Sequence, residues 1–161
     1  MSSIRLLGAA DFPNILAVVN DAAIAYRGVI AADCWHEPYM PEAELAAEIA
    51  AGVCFYGVEG AGALLGVMGL QRVEDVHLIR HAYVATHAQR NGHGGALLRH
   101  IMSRAQRPIL VGTWAAATWA IDFYARHNFE LLPASTADTL LRRYWAISPR
   151  QIATSVVLRC S

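Results

Sequence analysis

Gln89-Arg90-Asn91-Gly92-His93-Gly94-Gly95-Ala96 is the stretch whose reading decides the fold. Before it runs His77-Leu78-Ile79-Arg80-His81-Ala82-Tyr83-Val84, an apolar segment ending in residues that favour a pleated backbone. After it runs Ala96-Leu97-Leu98-Arg99-His100-Ile101-Met102, where Leu97, Leu98, Ile101 and Met102 share one helical face. A glycine-rich turn between a strand and a helix leaves backbone N–H groups unpaired at the helix N-terminus, and the helix dipole adds partial positive charge there. Such a turn can seat a pyrophosphate. Glycine suits it because it reaches positive φ and has no Cβ to obstruct the anion.

Two familiar nucleotide motifs do not fit. A dinucleotide fingerprint is G-x-G-x-x-G, with an acidic residue about 20 positions on. Here Gly92-x-Gly94 has no third glycine at the required place, and it lies past mid-chain. A P-loop requires G-K-[ST], and the chain contains no lysine.

Gln89-x-x-Gly92-x-Gly94 resembles the acetyl-CoA signature Q/R-x-x-G-x-G/A of the GNAT superfamily of N-acetyltransferases. Downstream, Ala120-Ile121-Asp122-Phe123-Tyr124-Ala125-Arg126-His127-Asn128-Phe129 resembles that family's A-x-x-F-Y-x-x-x-G-F segment. Asn128 replaces the usual glycine, and asparagine also tolerates the left-handed conformation of a helix C-cap. The resemblance extends from Ile4 to Leu158 and is sharp in these two segments.

Composition narrows the function classes. At 161 residues the chain is long enough for one domain with a real core, and we expect a single domain over 1–161. Thirteen basic and thirteen acidic residues cancel, which disfavours a nucleic-acid partner. Every apolar stretch is interrupted by Arg, Asp, Glu or His, so no membrane partner is expected. Met1-Ser2-Ser3-Ile4-Arg5 lacks the pattern of a signal peptide, and a cytoplasmic protein is the expectation. Cys34, Cys54 and Cys160 lack C-x-x-C spacing and read as reduced, buried or half-buried thiols, with no metal site.

The expected elements start with a strand at Ile4 to Leu7. A helix capped by Asp11 follows, then a loop from Tyr26 to Tyr39 and a helix from Pro41. Strands at Val53 to Glu59 and Ala63 to Leu70 flank a Gly60-Ala61-Gly62 turn. The strand from His77 follows, and then a helix to about Gln106 that Pro108 ends. Next come a strand at Ile109 to Thr113, a helix at Ala116 to His127 and a strand at Phe129 to Leu132. A short helix capped by Ser135 and a strand at Ile152 to Leu158 finish the chain. This order predicts an α/β (α+β) fold with a mixed sheet of six to seven strands and four to five helices. It agrees with the GNAT fold, whose sheet splays at its middle to admit CoA.

The resemblance implies acetyl transfer from acetyl-CoA to an amine by direct attack, with no metal. Gln89, Arg90, Asn91, Gly92, His93, Gly94, Gly95 and Ala96 would hold the pyrophosphate. Backbone N–H groups near Tyr83 and Val84 would meet the pantetheine and the acetyl carbonyl. Tyr124 stands where family members often keep the acid for the departing thiolate, and it would also touch the cofactor. Phe123 reads as core. Ala117 replaces an asparagine that often contacts CoA. The base is left open on this strand, where His81 and Arg80 are the candidate catalytic residues; strand alternation lets only one of them face the acceptor unless a bulge intervenes. His77 and His81 are too far apart on a strand to share a metal. Trp35, His36, Glu37 and Tyr39, in the loop before the second helix, would bind a small-molecule amine. Arg142-Arg143-Tyr144-Trp145 would either line the opposite wall or be surface charge. Alternatives are an acceptor on a protein N-terminus or an aminoacylated RNA, and a silent CoA-sensing domain. Members of this superfamily are often dimers, so a homodimer stays open.

Overall fold

The computed structural model describes residues 2–161, and Met1, the first residue of the expected domain, lies outside them. The described chain runs β1 (Ser2–Leu6), α1 (Phe12–Ala22), α2 (Glu42–Ala50), β2 (Cys54–Gly60), β3 (Ala63–Val73) and β4 (Val76–Val84). It continues through α3 (His93–Met102), β5 (Ile109–Trp114), α4 (Thr118–Arg126), β6 (Glu130–Leu131), α5 (Ala134–Tyr144), α6 (Pro149–Ala153) and β7 (Ser155–Cys160). The strands form one mixed sheet in the order β1-β2-β3-β4-β5-β7-β6. Only β4 and β5 are paired parallel; every other neighbouring pair is antiparallel. No helix among the described residues is long and apolar enough to cross a membrane.

The sheet opens where those two parallel strands meet. They pair only at His77↔Ile109, Leu78↔Leu110 and Ile79↔Val111. Beyond Ile79, β4 runs on to Val84 and β5 to Trp114 with no further pairing between them. A bulge accompanies the divergence. Val67 faces Tyr83 and Gly69 faces Arg80, so His81 and Ala82 together oppose Met68 alone. His81 takes the left-handed conformation, φ 57°, to make this turn.

Three apolar layers hold the sheet. Leu97, Leu98 and Ile101 of α3 are fully buried with Met68 and Ile79 on one face. On the other face Val18 and Val19 of α1 and Leu45 of α2 meet Phe55 and Val67. Leu141 of α5 packs with Leu78, Leu110 and Val157 across the β5 end. Each such side chain contributes about 1.5–3 kcal/mol relative to exposure. At Gly69 a Cβ would lie 2.7 Å from the Arg80 carbonyl oxygen and 2.8 Å from Val53 Cγ1. Gly69→Ala is therefore expected to cost about 2 kcal/mol. Melting should fall by about 4–8 °C, read by calorimetry, and an unchanged melting temperature would contradict the close approach.

Several local expectations need correction. Asp11 precedes α1 but does not cap it. Its carboxylate accepts from Arg5 (2.7 and 3.0 Å) and from the Gly8 N–H (2.8 Å), and the Arg5 pairing pulls its pKa down to about 2. The helix expected to reach Gln106 stops at Met102, because the Arg104 and Ala105 N–H groups both turn to the Ile101 carbonyl. Ser135 lies inside α5, which starts one residue earlier, directly after Pro133. Ile152 belongs to α6 rather than to the last strand. Ser148 Oγ accepts from the Gln151 N–H (3.1 Å) and Pro149 occupies the first turn, a start signal that the β-branched run beyond it masked. Cys54 is exposed, not buried; Cys34 is half-buried and Cys160 buried.

Candidate active site

The splay between β4 and β5 contains two cavities, which share Tyr26 and Tyr83. The larger, about 790 Å³, reaches from that pair across the glycine turn to α4. Val84, Gln89, Arg90, Gly92, His93, Gly94 and Gly95 line it on the β4–α3 side. Arg90 and Gly92 both have positive φ, 65° and 78°, which folds the turn back before α3 begins. No side chain caps α3, so its first N–H groups are left for another acceptor. Arg99 and Arg126 add positive charge, His127 adds an imidazole, and no carboxylate lines this cavity.

Two residues of the expected clamp stand apart from the cavity. Asn91 turns its amide back to the Ala88 and Gln89 carbonyls (3.1 and 3.2 Å), which stiffens the turn. Ala96 gives its N–H to the Gly92 carbonyl (3.0 Å) as part of the helix. Gln89 Nε2 donates to the Val84 carbonyl (3.1 Å) and so ties the turn to the strand.

Across the same cavity lie Trp119, Phe123 and Tyr124 of α4. Phe123 is therefore both core and wall. Tyr124 is 4% exposed, edge-on to Phe123 and Phe129 at 5.1 and 5.6 Å. Burial pushes its phenol well above the usual range, which keeps the proton on the oxygen. Ala117 is fully buried at the N-terminus of α4 and faces neither cavity.

The smaller cavity, about 100 Å³, lies between the α1–α2 loop, the bulge and the α5–α6 region. Tyr39, Arg80, His81, Thr113, Trp145 and Gln151 are among its walls. Trp114 Nε1 donates to the Tyr39 hydroxyl (2.8 Å). Burial raises Tyr26, Tyr39 and Tyr83, so these phenols are donors rather than bases at neutral pH.

Alternation alone would separate Arg80 from His81, yet the bulge turns both toward α2 and onto one carboxylate. Arg80 donates to Glu48 Oε1 (2.8 Å) and to Gln71 (3.3 Å), and His81 Nε2 meets Glu48 Oε2. Those last two atoms are buried and have only each other as polar neighbours. Burial acts to raise Glu48, but His81 and Arg80 outweigh it and hold the carboxyl below its usual range. Its stabilising contribution is complete above the ordinary carboxylate pKa and is lost as pH falls through the lowered value. Sequence reading missed Glu48 because α2 lies far from β4 in the chain.

Of Trp35, His36, Glu37 and Tyr39, only Tyr39 lines the cavity wall. Trp35 and His36 stack on Tyr39 from behind (5.8 and 6.1 Å). Glu37 is exposed and paired with Arg27 (2.7 Å). Of the Arg142 to Trp145 run, Arg142 pairs with Asp138 and Arg143 faces Glu74 and Asp75, while Trp145 lines the cavity. His77 accepts from the Gln106 N–H (3.0 Å), a structural bond that joins β4 to the chain before β5.

Residues 51–131 match the acetyltransferase (GNAT) domain family. No curated protein matches the sequence. Among solved structures, the chain is similar to a PaiA N-acetyltransferase from Thermoplasma acidophilum in complex with coenzyme A. The TM-score is 0.74 at 14% identity, covering 99% of this chain and 98% of that one. A GNAT-family acetyltransferase from Staphylococcus aureus gives TM-score 0.73 at 13% identity over 100% of both chains. A ribosomal-protein-alanine N-acetyltransferase from Brucella melitensis gives 0.61 at 21% identity, over 81% of this chain and 86% of that one. The family match takes in the bulged strand, the glycine turn and Tyr124 together, and the chain belongs to the GNAT acetyltransferases.

Proposed function

We propose that residues 1–161 act as one cytoplasmic N-acetyltransferase domain that moves an acetyl group from acetyl-CoA to the primary amine of a small molecule. The observation that carries this is the pair of cavities meeting at Tyr26 and Tyr83, one basic and one small and aromatic. The unblocked start of α3, with Arg90, Arg99 and Arg126 nearby, suits a pyrophosphate and a further phosphate. Acetyl-CoA supplies the activated thioester. The β4 edge from Arg80 to Val84, which has no strand partner on its β5 side, offers backbone groups to orient it.

In this reading His81 is the base and takes the proton that the attacking amine sheds. Glu48 fixes the ring, and Arg80 is engaged in holding Glu48. Tyr124 Oη delivers a proton to the departing sulfur. The new N–C bond forms as the C–S bond breaks. Calorimetry with CoA, followed by thiol release against amines, tests the whole reading: absent CoA binding refutes it, and CoA binding without turnover favours a sensor. His81→Gln is expected to lower kcat by about 10²-fold while CoA affinity stays unchanged. Wild-type kinetics in that variant would exclude His81 as the base.

A further inference from the structure

The smaller cavity has walls of one electrical kind. None of its lining residues is a carboxylate. The nearby loop acids are already committed, Asp33 to Arg150 (2.9 and 3.1 Å) and Glu37 to Arg27 (2.7 Å). Its two lining basic side chains, the Arg80 guanidinium and the His81 imidazole, both converge on Glu48. A bound molecule carrying a second ammonium would therefore find no carboxylate in the wall, and one carrying a carboxylate would find no uncommitted cation there. Burying an unpaired charge is costly enough to exclude both.

What the walls do offer is neutral polarity. Tyr26, Tyr39, Tyr83, Thr113 and Gln151 all line the space, with the three phenols bonded among themselves and to Thr113 and Trp114. The Gln151 side chain makes no hydrogen bond within the described residues, so its amide is available. Size adds a second restriction. A protein cavity of about 150 Å³ is filled by one benzene, whereas this one is about 100 Å³.

We propose that the acceptor is a short primary monoamine whose body carries no charge, with a hydroxyl or amide accepted at its far end. This rests on the acetyltransferase reading above and sharpens its acceptor. The test compares molecules of nearly equal size: 3-aminopropanol and β-alaninamide against 1,3-diaminopropane and β-alanine, with a tripeptide amide as a fifth arm. Thiol release is followed at saturating acetyl-CoA, and CoA affinity is measured on the same sample.

The neutral pair is expected to exceed both charged analogues in kcat/KM by about 30-fold or more, as unpaired buried charge dictates. Equal rates, or preference for the diamine, the amino acid or the peptide, would overturn the proposal. CoA binding without turnover of any of the five would overturn it while leaving the donor site standing. Failure to bind CoA would instead bring down the underlying reading, and this inference with it. Gln151→Glu adds the missing carboxylate and is expected to improve 1,3-diaminopropane about tenfold relative to 3-aminopropanol. An unchanged ratio in that folded variant would count against the charge argument.

Discussion

Tyr124→Phe is expected to lower kcat by about 10²-fold while CoA affinity stays within about twofold, because only proton delivery is removed. The ring, held edge-on by Phe123 and Phe129, remains where it was. The lost hydroxyl bonds no other residue among those described, so no buried group is orphaned and melting should barely change. The pH profile supplies a second readout. Burial raises the phenol, and activity that needs its proton is therefore complete at neutral pH and fades only as pH rises through the raised value. A variant that turns over like the wild type would reduce Tyr124 to a packing residue.

Gly92→Val is expected to weaken CoA binding by about tenfold or more. Gly92 sits at φ 78°, ψ 8°, immediately before α3. A left-handed conformation costs an L residue roughly 1–2 kcal/mol, and a β-branched one more. The space around a Cβ is open there, so backbone conformation rather than crowding is the obstacle. Relaxing the strain would swing the N–H groups of the first turn away from the place proposed for the pyrophosphate. Asparagine tolerates the same conformation, so Gly92→Asn should keep most of the affinity. Equal loss in both variants, measured by calorimetry, would mean that the position acts through something other than its φ.

The sheet and the glycine turn were legible because both are written locally. Leu97, Leu98 and Ile101 follow the helical period within one turn of the glycines, and each strand declares itself over a handful of residues. The surroundings of the smaller cavity were legible only in part. The pairing that takes up Asp33 could not be read, because Arg150 lies 117 residues from it and no sequence window joins them. Glu48 was invisible for the same reason, since its partners Arg80 and His81 are more than 30 residues away. Trp119 and Tyr26 stack at 6.0 Å beside the larger cavity, and neither announced itself in any motif. Periodicity reports which face is buried; it does not report who meets whom across the core.

The bulge at His81 makes β4 a strand read in two phases. Up to Arg80, inward and outward positions alternate in one register with β3; from Ala82 onward the parity is reversed by a single extra residue. Deleting that residue would leave the strand's composition and hydrogen-bonding capacity almost intact. It would, however, exchange the faces of Tyr83 and Val84 and break the wall that the two cavities share. The insertion thus works as a frame marker, so an alignment of this strand with any other is meaningful only if the extra residue is matched to an extra residue.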